Sequence, residues 1–263
     1  MILAKNPRNQ SGAINDTRLK FFEDYQIQNS HLREYANIIE TVDGWLWKGD
    51  LQILDWISQR DFNRYGGVME LGVHLGKLFI AMNMTVEQGE SYAVDVFTDL
   101  QEYNVSHSGG NISDQIRKFR TNVETYDTRW NGFNVQIIAE DTMVLRRDHF
   151  GDNKFKVISI DAGHHSPHVM SDLRLAKEVL TRDGVVIVDD WMNSEWPGVT
   201  EGTIQFLSGN NGLVPFMSYH HKLYLCRYNA HHKWIDQLGR FGYRRNETQL
   251  CGYQMYNVCE KLT

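Results

Sequence analysis

The sequence predicts an α/β fold, a doubly wound and mostly parallel sheet that closes with an antiparallel strand. Three observations carry this. Short runs, Gly67 to Gly72, Ser91 to Asp95, Val135 to Ile138, Lys156 to Ile160 and Val185 to Val188, alternate with amphipathic or helix-forming segments. Most of these runs contain or end in an acid: Glu70, Asp95, Glu140-Asp141, Asp161 and Asp189-Asp190. The last two runs, Leu213 to Met217 and Lys222 to Arg227, are joined through Ser218-Tyr-His-His221, and so short a link forces antiparallel pairing.

Taken in order, residues 1 to about 30 are polar and without pattern, and are read as an arm. Leu32, Tyr35, Ile38 and Ile39 recur at helical spacing. Thr41-Val-Asp-Gly44 breaks that pattern, and Leu51, Leu54, Asp55, Ile57 and Ser58 define a second helix with Asp50 as its N-cap. Trp45 and Trp47 are read as packing anchors. Gly67 to Gly72 is a strand. It runs through Gly72 and Gly76 into the apolar helix Leu78 to Met84, a turn that lets a ligand approach backbone N–H groups. Its spacing, Glu70-x-Gly72-x-x-x-Gly76, is not the GxGxxG of a dinucleotide site. Residues 97 to 111 form a polar loop suited to a lid or a binding wall. A helix from Ile112 to Tyr126 follows, then the third strand and a polar turn over Asp148 to Asn153.

From Lys156 to Trp191 the chain reads as a strand, a loop with His164 and His165, a helix over Ser171 to Leu180, and a second strand. Such βαβ units place both strand ends on one sheet edge, where open α/β sheets bind ligands. Beyond Trp191 come the turn Trp196-Pro-Gly198 and a helix from Val199 to Leu207. The tail, Tyr228 to Thr263, is aromatic and mixed in charge, and predicts only a helix around Trp234 to Phe241. The expected domains are an arm with a helical cap over 1–62, a core over 63–227 and a C-terminal extension over 228–263.

Over 263 residues the net charge is -6 and no dense Lys/Arg stripe occurs, which argues against a nucleic-acid partner. The odd count of three cysteines, with no CxxC, suggests neither a disulfide framework nor a zinc site. No stretch reaches the ~20 apolar residues of a membrane span, and Met1 to Gln10 lack an apolar signal core. The expectation is a cytoplasmic protein with no membrane partner, compatible with a homo-oligomer.

Asp161, Asp189 and Asp190 converge on one edge. Three carboxylates repel one another and resist desolvation, and a hard divalent ion such as Mg²⁺ resolves this. The competing reading has one acid in the cleft and the others capping turns, because adjacent residues on a strand face opposite sides. The metal reading requires the chain to have turned by Asp190. His164 and His165 both stand close enough to Asp161 to act as a general base titrating near neutral pH. Asp95, ending the second strand, can accept both hydroxyls of a ribose.

Together, Glu70-x-Gly72-x-x-x-Gly76, Asp95, Glu140-Asp141 and the terminal hairpin resemble a class I S-adenosylmethionine-dependent methyltransferase over residues 40 to 227. Asp161-Ala-Gly-His164 and Val188-Asp189-Asp190 resemble, more narrowly, the metal-dependent O-methyltransferases of sugars and natural products. The resemblance implies a Rossmann-like, seven-stranded sheet of order 3-2-1-4-5-7-6. It implies a cofactor site of Glu70, Gly72, Gly76 and Asp95, with Asp141 and Thr142 beside the adenine. It further implies Asp161, Asp189 and Asp190 as ligands of Mg²⁺ or another divalent cation, and His164 as base. The chain has Asp161-Ala-Gly-His-His where many relatives have Asp-Gly-Asp-His, so His165 competes with His164. The implied partner is a small-molecule acceptor, glycosylated, methylated at a hydroxyl. A metal-independent N- or O-methyltransferase and an NAD-dependent oxidoreductase are the rival readings. The missing GxGxxG and the antiparallel hairpin count against the latter.

Overall fold

The strands alternate their side chains between two apolar layers, and this alternation builds the molecule. The computed structural model describes residues 25–60, 66–87, 89–97, 111–128, 135–240 and 245–258. Among them, β1 (Gly67–Leu71), β2 (Ser91–Asp95), β3 (Val135–Ala139), β4 (Phe155–Ile160) and β5 (Leu180–Val188) pair in parallel. β6 (Leu213–Tyr219) and β7 (Lys222–Arg227) form the expected hairpin, with β7 antiparallel to β5.

Val68, Ala93, Val157, Val185 and Ile187 point to one face. There they meet the helices α1 (Ser30–Ile38), α2 (Lys48–Ser58), α3 (Lys77–Asn83), α4 (Ile112–Tyr126) and α7 (Tyr228–Gly239). Met69, Leu71, Val94, Ile158, Ile160, Val186 and Val188 point to the other face, against α5 (Ser166–Val179) and α6 (Pro197–Ser208). The result is a helix–sheet–helix sandwich, as the sequence predicts.

Among the described residues the sheet has nine strands, not seven. Its order is β3-β2-β1-β4-β5-β7-β6-β9-β8, so the expected order holds and the tail extends it. After α7, β8 (Arg245–Leu250) and β9 (Tyr253–Val258) form a second hairpin, and β9 lies parallel to β6. This hairpin escapes prediction because Arg245 to Gln249 are all polar, and only Met255, Tyr256 and Val258 in β9 are buried. The His231 imidazole lies against the carbonyls of Pro215 (3.2 Å) and Gln254 (2.8 Å), tying α7 to β6 and β9.

Smaller departures have local causes. Asp50 sits inside the first turn of α2 rather than at its cap, where its carboxylate accepts the Trp47 N–H at 3.0 Å. Trp45 and Trp47 are exposed, at 81% and 58%, and do not anchor the core. Each lies on a histidine instead, Trp45 on His74 at 6.4 Å and Trp47 on His220 at 5.1 Å between ring centroids. Their loop is pinned to α3 by the buried Lys77, whose ammonium donates to the Gly44 carbonyl at 3.0 Å. Most of the predicted lid, residues 98–110, and Phe241 lie outside the described residues.

Candidate active site

The C-terminal edge of the parallel strands gathers two sets of polar groups, joined at Gly72. This glycine has φ +89, and a Cβ on it would stand 2.0 Å from the Asp161 carbonyl oxygen. Only a residue without a side chain lets the β1 turn lie against the end of β4. The ladder continues through that contact, with Asp161 N–H donating to Leu71 and Gly72 N–H donating to Val94, both at 2.8 Å.

On one side of Gly72 stands Asp95. One carboxylate oxygen accepts the His74 N–H and the other the Phe97 N–H, both at 2.8 Å. Each oxygen keeps a lone pair for a further donor, such as the two hydroxyls of a ribose. His74 adopts φ 47 to present that N–H, and burial holds its imidazole below the usual range. Gly76 caps α3 at φ 89. Glu70 lies beneath the turn, 2% exposed, and its Oε2 has no hydrogen-bond partner among the described residues. Burial and then Asp161 hold its carboxyl well above the usual range, against the pull of Lys222. Asp141 is exposed and accepts the Met143 N–H at 2.9 Å, opening a short 3₁₀ turn; Thr142 is buried in that turn.

On the other side the acids are held by side chains. Asp189 continues the parallel ladder, its N–H donating to Ile160 at 3.0 Å. Asp190 then adopts φ 54, a left-handed conformation that aspartate tolerates better than most residues. That turn sends the two neighbouring carboxylates to different partners. Asp189 receives the ammonium of Lys222, which opens β7. Asp190 accepts from Asn193 Nδ2 at 2.7 Å and stands 2.9 Å from His164 Nε2.

His164 is 8% exposed and its Nε2 is also 3.7 Å from Asp161 Oδ1. Its ring stacks on Trp196 at 4.4 Å. Burial lowers its pKa, but Asp161 and Asp190 outweigh this and raise it to about 9. The same burial, with Asp189, raises Asp161, against His164 and Lys222. Asp190 is lowered on balance: burial raises it, and His164 and Asn193 more than compensate. His165 is exposed at the start of α5, its ring 6.3 Å from that of His168. His164, not His165, therefore shares the cleft with the acids.

One ligand atom each from Asp161, His164 and Asp190 lie within 4.8 Å of one another, the spacing of a cation site. A surplus of carboxylates around a common space is the chemistry such an ion neutralises, so the residues fit a divalent cation. The sequence reading missed Lys222, Trp196 and Asn193. The first had a signal: a lysine opening an apolar run whose hairpin register sets it beside Asp189. The other two lie in a segment that the sequence marks only by the turn at Trp196-Pro-Gly198.

A parallel sheet in this order, with an antiparallel strand inserted beside β5 and a strand-end acid beside a glycine turn, defines a class I methyltransferase fold. Residues 69–191 match the family described as a methyltransferase domain. A comparison with curated proteins found no match. Among solved structures the chain is similar to the O-methyltransferase NovP (16% identity, TM-score 0.53, covering 68% of this chain and 79% of that one). It is similar also to CalS11, a calicheamicin methyltransferase (17% identity, TM-score 0.54, 80% and 90% covered). The apo form of CalS11, described as a TDP-rhamnose 3'-O-methyltransferase, gives 17% identity and TM-score 0.52, with 80% and 92% covered. At these identities the likeness is one of fold.

Proposed function

We propose that the chain methylates a hydroxyl of a small, glycosylated acceptor, with a divalent cation assisting and His164 as the base. The observation that supports this most is the Asp161–His164–Asp190 cluster, set across Gly72 from Asp95. A nucleoside-bearing cofactor and a hydroxyl then meet at one edge. That one solved structure of the same fold is described as an O-methyltransferase and another as a TDP-rhamnose 3'-O-methyltransferase favours a sugar hydroxyl.

In this reading S-adenosylmethionine supplies a methyl group already activated on a sulfonium, so the acceptor oxygen needs only to lose its proton and be aligned. Asp95 holds the ribose and the Gly72–Gly76 turn presents its backbone to the rest of the cofactor. Thr142 and Asp141 border the adenine. Asp161 and Asp190 would hold the divalent cation, with Asp189 beside them, and the ion when bound would lower the pKa of the acceptor hydroxyl. His164 takes the proton at the nitrogen that faces Asp161 and Asp190, and its stacking on Trp196 fixes the ring plane. Asp161 and Asp190 favour the protonated form of His164, and with their charge taken up by a bound ion His164 would be free to accept the proton. Trp191, Trp196 and the loop bearing Trp45 and Trp47 wall the cleft and keep water from the aligned pair.

Labelled S-adenosylmethionine, screened against nucleotide sugars and glycosylated small molecules, tests this. Transfer to a hydroxyl, lost on chelation and restored by Mg²⁺ or Mn²⁺, is expected. Transfer to nitrogen overturns the acceptor, and transfer indifferent to chelator overturns the metal.

A further inference from the structure

Lys222 is a lysine in the wrong place for an ordinary surface charge. It opens β7, antiparallel to β5, where Leu223 faces Val188. It therefore enters the sheet edge beside Asp189, and its ammonium rests on Asp189 Oδ2. Its side chain is 6% exposed. The acids around it are Asp189, Asp50 and Asp161, with Glu70 next beyond, and Asp50 and Glu70 are themselves 1% and 2% exposed. A buried ammonium among this many carboxylates is held there by charge, since removing it from water is otherwise unfavourable.

This arrangement separates Asp189 from Asp190, its neighbour in sequence. The second oxygen of Asp189 accepts the Asp190 N–H at 2.9 Å, so both of its oxygens are engaged within the protein. The three groups whose ligand atoms lie within 4.8 Å of one another are Asp161, His164 and Asp190. We propose that Lys222 is the resident counter-cation of this edge: by holding Asp189 it withdraws that carboxylate from any divalent ion and sets how tightly Asp161 and Asp190 bind one. Lys222 is thus a positioning residue. Its fixed positive charge weakens the ion's binding, and Asp189 acts on the ion only through Lys222. A site tuned this way fills and empties readily, and its acids stay assembled between fillings. The inference deepens the metal-assisted reading and rests on it.

The test is Mn²⁺ binding to the full chain, read from the electron paramagnetic resonance signal of the free ion, with neither cofactor nor acceptor present. Lys222→Met should bind Mn²⁺ about tenfold more tightly than the wild type, because a repelling charge is gone and Asp189 is released. Asp189→Asn alone should bind about tenfold more weakly, since Lys222 is then unopposed. The double variant Asp189→Asn/Lys222→Met, which removes both charges, should return to within about threefold of the wild type. It also carries the test should Lys222→Met fail to fold. Equal or weaker binding by Lys222→Met, or a tenfold loss in the double variant, overturns the proposal and leaves a metal site with Asp189 as a direct ligand. Binding by Lys222→Met where the wild type binds none supports Lys222 as the resident cation and removes metal assistance from the wild-type reaction. No binding by either protein overturns both.

Discussion

The two sides of Gly72 are built on different principles. On the side proposed for the cofactor, the carboxylate of Asp95 is fixed by two backbone N–H groups. On the side proposed for the acceptor, one backbone donor, Asp190 N–H, reaches Asp189, and the carboxylates of Asp161, Asp189 and Asp190 otherwise rest on the side chains of His164, Lys222 and Asn193. Backbone donors belong to the fold and persist whatever the local charge. Side-chain ion pairs depend on every partner, so loss of one leaves a buried charge unopposed. On the proposed division, the Asp95 side is therefore rigid and tolerant, and the side of Asp161, Asp189 and Asp190 responsive and fragile.

The sharpest way to break this contrast is on the acceptor side. His164→Ala should lower methyl transfer by about 10²–10⁴-fold while calorimetric affinity for S-adenosylmethionine is unchanged. A matching loss of cofactor affinity would mean that the halves are not separate. Asp95→Ala should do the reverse, weakening S-adenosylmethionine binding about 10–100-fold through loss of a charged acceptor, with kcat at saturation less affected. Gly72→Ala strikes the seam. Its Cβ meets backbone, which cannot swing aside, so both halves shift and the Tm should fall by about 5 °C or more.

The smallest effect concerns α5 behind Asp141 and Thr142. Asp172 of α5 is fully buried; burial raises its carboxyl to about 7, the Thr142 hydroxyl working against this and Asp141 with it. An acid whose folded pKa is raised contributes most to stability below its unfolded value of about 4. That contribution is lost as pH rises through about 7. Asp172→Asn should thus melt higher than the wild type at pH 8 and equally at low pH, by a few degrees in thermal scans. Equal melting at both pH values would show that Asp172 finds a partner when charged.

How far the sequence foretells these features depends on what makes them. Parallel strands such as Lys156 to Ile160 are legible because burial on both faces demands apolar runs, and their acidic ends stand out against them. The glycine turn is legible because its backbone demands Gly72 and Gly76. The φ of Asp190 is not, since aspartate is at home in many conformations, yet that one torsion divides Asp189 from Asp190. The choice between His164 and His165 is likewise hidden, because it follows from where α5 begins and from Trp196 arriving from another turn. The β8–β9 hairpin escapes because polar side chains on one strand leave no alternation to read.

That hairpin bears on how the chain is made. β6 takes one neighbour, β7, from the next few residues, but its other neighbour, β9, comes from residues synthesised much later. Until Tyr253–Val258 leaves the ribosome, the β6 edge with Met217 and Tyr219 is an open strand of apolar character. A nascent chain in this state has a template for mispairing with its neighbours on a polysome. Among the described residues the edge strand on this side of the sheet, β8, carries Asn246, Glu247, Thr248 and Gln249, a polar border that discourages another chain from adding to it.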